Sequence, residues 1–346
     1  MTRKCSAAVL AAALFCAIPA PGGADSRRPG ERPVPGFSLK IFGGPGCLST
    51  GGGDLETLRT STAALFESVK NISAFSPTFN WPGLALASEF GAELIIPLCD
   101  HLGIGLGSGY ITGGKSRGRY SYVYSIAQFL QGTGYSVDNR ANYAQDFAFH
   151  AVPVRINLYV FQPLGRLSIY GYGGAGYYFG SIHHTYSMDA ALQTKNLSTY
   201  APQSEHDTDL KTRIDERVHG GAIGFQAGLG IEVGITRRIS LGLEAFGRIA
   251  NLKNWEGDGS VSTETRNRDF VQGVGWYSDQ TQSDAFRTAG KWRYVNDYDP
   301  SSTLAFFSDN LLVEKSVKQP SVYEKTRDPA IDLSGIGARL SLRYRF

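Results

Sequence analysis

The stretch Gly337-Ala-Arg-Leu-Ser-Leu-Arg-Tyr-Arg-Phe346 decides how this chain is read. Steps of two back from Phe346 give Tyr344, Leu342, Leu340, Ala338 and Ile336, while the other phase gives Arg345, Arg343, Ser341, Arg339 and Gly337. One face is apolar and aromatic, and the other is polar and charged. Period two is the strand period, so this is an amphipathic strand whose apolar face needs a surface to meet. Chain ends normally fray into polar residues, yet here the apolar row runs through Phe346.

Working outward, six further segments alternate in the same way, at 37–41, 84–96, 102–110, 148–160, 223–235 and 239–245, and a seventh, 166–182, is strand-like and glycine-rich with an ambiguous phase. Their connections alternate in length. Tight turns are expected at 97–101, 162–165 and 236–238, and long loops at about 48–82, 113–145, 183–217 and 253–330. Short and long connections in alternation are the pattern of antiparallel strands that cross a bilayer, with turns on one side and large loops on the other. A soluble sandwich has no reason to gather its long loops at one end. The expected fold is therefore all-β, an eight-stranded antiparallel transmembrane β-barrel with long extracellular loops, spanning 36–346. Closure satisfies every backbone group without leaving an edge in lipid, which pairs the final strand with the first.

The N-terminus agrees. Arg3 and Lys4 precede an apolar run from Ser6 to Ala20, followed by Pro21-Gly22-Gly23-Ala24. This is the layout of a secretory signal over 1–24, leaving a short segment at 25–35 before the barrel. The run is shorter than the roughly twenty residues a spanning helix needs. Losing Arg3 and Lys4 lowers the formal charge from +3 to about +1, and that near balance argues against a nucleic-acid partner. Cys47 and Cys99 remain after cleavage, too few for a disulfide framework or a zinc site. They are assigned to opposite ends of the barrel, beyond disulfide reach.

The signal, the eight strands, the alternating connections and the ending Leu340, Leu342, Tyr344, Phe346 together resemble small bacterial outer-membrane β-barrels of the OmpA/OmpX kind. The segments His150–Val160 and Tyr170–Gly180 look like paired strands of such domains. The resemblance implies a monomer in the outer membrane of a Gram-negative-type bacterium, with outer-membrane lipid and lipopolysaccharide as partners. It also implies that the terminal residues address the barrel-assembly machinery. It specifies a fold more than a function. A structural or ligand-binding, adhesive role through the loops is expected, with no enzyme activity, cofactor or metal. A narrow porin-like channel and a lipid-modifying rim enzyme are the alternatives.

The polar rows are assigned to the lumen: Lys40, Glu89, Glu93, Arg155, Asn157, Gln226, Glu232, Glu244, Arg248, Arg339 and Arg343. The interior of an eight-stranded barrel is just wide enough for side chains to fill, so these charges are expected to pair as a plug. The glycines from Gly103 to Gly109 keep an ion pathway open as the alternative, because missing side chains leave space.

For chemistry, His183, His184 and Ser187 stand where a rim nucleophile and base would act, with Glu205, Asp207 and Asp209 as acids to orient the base. His206 adds a weak metal set to the two histidines. The plain reading is a polar surface. Gly51-Gly52-Gly53-Asp54 enters a helical pattern with Asp54 as cap and Leu55, Leu58, Leu65, Phe66 and Val69 as a buried stripe. It lacks the lysine and serine or threonine of a P-loop. The last connection is rich in aromatics, among them Trp255, Trp276, Trp292, Tyr294, Tyr298, Phe306 and Phe307. Trp255, Trp276, Trp292 and Tyr294 are the candidate ligand-binding residues; packing as a cap is the alternative. Tyr110, Tyr177 and Tyr178 are assigned to an interfacial girdle, with His150 near it.

Overall fold

A computed structural model describes residues 36–49, 52–70, 72, 74–83, 86–130, 133–197, 203–297, 308–313 and 325–346. The signal segment 1–24, the segment 25–35, Leu84, Tyr298, Phe306 and Phe307 lie outside the described residues.

Eight strands close a ring. They are β1 (Ser38–Leu48), β3 (Leu86–Pro97), β4 (Leu102–Leu130), β5 (Thr133–Leu164), β6 (Leu167–Asn196), β7 (Ser204–Gly234), β8 (Ile239–Ile249) and β14 (Gly335–Arg345). Each pairs antiparallel with the next, and β14 closes on β1 with Tyr344 opposite Leu39 and Leu342 opposite Ile41. The turn end is tight: Gly165 takes φ 69° between β5 and β6.

The ring is packed inside out. Val154, Ile156 and Leu158 are 53%, 60% and 52% exposed, while the alternate residues Arg155 and Asn157 are each 2% exposed. The same inversion runs through β7, with Ile223, Phe225, Leu229, Ile231 and Val233 outward, and through β14, with Ile336, Leu340, Leu342 and Tyr344 outward. The outer face is a continuous apolar band, far larger than monomeric soluble proteins leave bare.

Three assignments change at the loop end. The segments expected as long loops at 113–145 and 183–217 are strand: β4 and β5 remain paired from Thr112–His150 up to Leu130–Thr133, and β6 and β7 up to Asn196–Ser204. Much of 253–330 is strand too, in the hairpin of β9 (Asn251–Val271) and β10 (Gly275–Asp297). Above the ring, β7 exchanges β8 for β9 as its neighbour, from Phe225–Ile249 to Gly221–Lys253. Backbone pairing carries these strands onward without any apolar outer row, so the alternation that marks the ring is absent from them.

Short strands complete this extension. β2 (Phe75–Asn80) borders β4; β11 (Ser308–Val313) and β12 (Lys325–Arg327) border β10; β13 (Ile331–Asp332) borders β9. Helix α1 (Asp54–Val69) packs against β2, β11 and β13. Its N-cap position belongs to Gly53 rather than Asp54, with φ 67° and Ala330 O only 2.6 Å from where a Cβ would stand. Asp54 is instead the first helical residue, and its carboxylate accepts from both Arg327 Nη atoms and from Ala330 N, each at 2.6 Å. Leu55, Leu58 and Phe66 are buried as the spacing predicts, whereas Leu65 and Val69 are half-buried.

Candidate functional site: the filled ring and the sheet above it

The inward rows meet in one hydrogen-bonded network at mid-height of the ring. Glu89 accepts from Arg155 at 2.5 Å, Arg248 at 3.0 Å and Arg339 at 3.2 Å. Arg339 reaches Glu244 at 3.1 Å and also donates to the Tyr172 hydroxyl. Lys40 bonds Glu244 at 2.7 Å and the Tyr159 hydroxyl at 3.0 Å. Glu93 accepts from Asn157 and Tyr159, each at 2.6 Å, while Gln226 bridges Arg155 and Asn157 at 2.8 Å. Nearer the turns, Arg343 reaches Glu232 at 3.3 Å, and Ser240 donates to the same carboxylate. Lys40, Glu89, Glu93, Glu244 and Arg339 are each at most 3% exposed. Unpaired, any one of these charges would be very costly to bury; paired and hydrogen-bonded, they hold the interior together.

The space beside the glycine row is occupied. A Cβ on Gly105 would meet the Tyr159 ring at 2.7 Å and would collide with the Glu93 carboxylate. The space that missing side chains release on β4 is taken up by long side chains from β3 and β5. Ile95, Tyr159, Tyr170, Tyr172 and Phe246 form a buried, mostly aromatic cluster among these charges.

Above the network lies an apolar core. Leu55 and Leu58 of α1 pack with Trp81, Phe147, Tyr178, Ile182, Leu252, Trp255, Trp292 and Leu333. Three of the four candidate ligand-binding aromatics belong here: Trp255 is 1% exposed, Trp292 0% and Tyr294 5%. They are cap residues, not surface, because β9 and β10 turn their inner faces onto the helix-covered mouth. Trp276 alone of the four is exposed, at 52%, beside Phe270 and Arg268 near the hairpin tip. Tyr178 is also buried, so the outward aromatic row comprises Tyr110, Tyr177 and Phe179, with His150 stacked on Tyr110 at 5.6 Å.

The histidines do not assemble a catalytic set with Ser187. His184 faces inward at 1% exposure, stacks on Phe147 at 4.5 Å, and bonds Glu216 at 3.1 Å. Glu216 also accepts from Trp292 Nε1 at 3.2 Å and Val313 N at 2.8 Å, so this pair pins β10 and β11 to β6 and β7. Ser187, three residues on, points to the opposite face. His183 shares the face of Ser187, but four strand residues separate their Cα atoms by about 13 Å. His183 pairs with Asp215 at 3.1 Å and His206 with Asp269 at 2.6 Å. Among the described residues no group of histidine, cysteine and carboxylate side chains is placed to hold a metal ion. Cys47 and Cys99 are both free and exposed.

The chain matches no protein-family model and no curated protein. Among solved structures it is similar to CarO of Acinetobacter baumannii, at 13% identity over 79% of this chain and 96% of that one, with a TM-score of 0.24. It is also similar to the outer-membrane protease OmpT of Escherichia coli, at 8% identity over 90% and 98%, again with a TM-score of 0.24. The toluene transporter TodX of Pseudomonas putida aligns at 8% identity over 90% of each chain, with a TM-score of 0.14. Superpositions this loose carry no argument. The OmpA/OmpX likeness rests on the sequence, and the ring rests on its own strand pairing.

Proposed function

We propose that this chain is a monomeric integral β-barrel of the bacterial outer membrane, non-enzymatic and closed to solutes. In this reading its working surface is the folded sheet that stands beyond the membrane, which contacts lipopolysaccharide or an external ligand. The observation that carries the reading is the inversion of the ring. Apolar rows on eight strands face outward and charged rows face inward, which is costly in water and favourable in lipid. The filled interior supports a structural or binding role over the porin-like alternative, since the polar network and the apolar cap lie one above the other across the same axis. Leu340, Leu342, Tyr344 and Phe346 remain the residues assigned to recognition by the barrel-assembly machinery.

The test is an outward arginine. Ile156, 60% exposed on β5, faces the hydrocarbon in this reading, so Ile156→Arg should destabilise the protein folded in lipid vesicles by about 2–4 kcal/mol. If the band faced water, the same substitution would stay within about 0.5 kcal/mol, as surface changes do. That second outcome would remove the membrane reading.

A further inference from the structure

At its turn end the ring opens into a cavity of about 1130 Å³. The wall joins inward-row side chains, Ser38, Glu232 and Arg343, to Arg345 and to the turn residues Arg166 and Arg237. Four arginines face two acidic side chains there, Asp100 and Glu232. Glu232 is already engaged, by Arg343 at 3.3 Å, by Arg345 at 3.2 Å and by Ser240. Arg343 is further fixed by Ser38 Oγ at 2.8 Å and by the Phe161 ring at 4.8 Å. Arg166 and Arg237 have no carboxylate partner among the described residues, and Arg345, with 48% of its side chain exposed, gives Glu232 one contact.

We propose that this vestibule binds an oxyanion bearing at least two carboxylate or phosphate groups, held among Arg166, Arg237 and Arg345. The guanidinium fork matches such oxygens in geometry as well as charge. A cleft lined by an excess of one sign, walled by a low-dielectric barrel, concentrates counter-ions. The wall joins inward-row and turn residues to the exposed side chains Leu98, Ile235 and Phe346, so the cavity lies at the turn-end rim of the ring, beside the apolar band. The closed network above makes the vestibule a dead end, a binding site and not a passage. This goes beyond the role assigned to the external sheet and does not depend on it.

The test is calorimetric titration of the folded, detergent-solubilised protein at low ionic strength, with inorganic pyrophosphate and in parallel with citrate. Saturable binding of either is expected; the phosphate or the carboxylate source is then named by which one binds tighter. The double variant Arg166→Gln/Arg237→Gln should bind at least about tenfold more weakly, the loss of charge-assisted contacts. Arg238→Gln, on the same turn but outside the cavity wall, should leave binding unchanged. An unboiled gel checks that each variant is folded; should the double variant fail it, Arg345→Gln gives the same comparison. No saturable binding of either anion would overturn the proposal, and so would an equal loss in Arg238→Gln, which means diffuse surface charge only.

Discussion

Glu89 is the acceptor on which three arginines converge, from β5, β8 and β14. Removing its charge leaves those guanidinium groups buried with fewer acceptors, and breaking a buried pair in this way costs about 3–5 kcal/mol. Glu89→Gln should therefore lose its unboiled-gel shift at a distinctly lower temperature than the parent. Arg345→Gln, at a half-exposed pair with Glu232, should cost under about 1 kcal/mol by the same measurement. Equal stability of Glu89→Gln and the parent would mean that the interior is hydrated and the network loose. The inward placement of Glu89, Arg155 and Arg339 follows from alternation alone, because which side a strand residue faces is a local property. Which acid meets which base depends on ring closure, with 250 residues separating Glu89 from Arg339; no local pattern carries that.

The elements beyond the ring behave as a folded sheet with its own core. Trp81, Trp255 and Trp292 are buried in that core, and Trp276 is the exposed member of the chain's four tryptophans. Iodide should thus quench only a minor fraction of the fluorescence, and Trp276→Phe should abolish that fraction; general quenching would mean that the extension is unfolded. A tyrosine cluster lies on the same inner face, with Tyr120 stacked on Tyr143 at 4.9 Å and Tyr186 beside it. Burial, reinforced by neighbouring phenols, raises all three above the ordinary tyrosine value. They stay neutral when folded but ionise near pH 10 when unfolded, so their contribution is full below that pH and falls as pH rises above it. The near-ultraviolet dichroism of the extension should melt earlier at pH 11 than at pH 9, and less so in Tyr143→Phe. An unchanged melting temperature at pH 11 would contradict the burial of these hydroxyls. Much of this region is hard to read from sequence for a physical reason. Past Tyr110, β4 runs Lys115-Ser-Arg-Gly-Arg119, with charge outward and small residues inward, so it lacks the apolar row that identifies a strand. Helix α1 is legible because the glycine turn and the spacing of Leu55 and Leu58 are local signals. Trp255 is not, because its burial depends on Gly180 of β6, Gly220 of β7 and Trp292 of β10 meeting it from distant parts of the chain.

For the whole molecule, two closures lie in series. Ion-paired side chains fill the ring, and an apolar core with α1 covers its loop end. Either one alone would obstruct a narrow lumen; in the proposed reading the barrel then serves to carry the sheet above it. The chain beginning at Asp25, refolded into vesicles and confirmed by its unboiled-gel shift, should be fused with a planar bilayer and its single-channel current recorded. The folded barrel is expected to be silent. Discrete current steps whose size changes in Glu93→Gln or Arg155→Gln would show that ions pass among the network residues, and the filled interior would be contradicted.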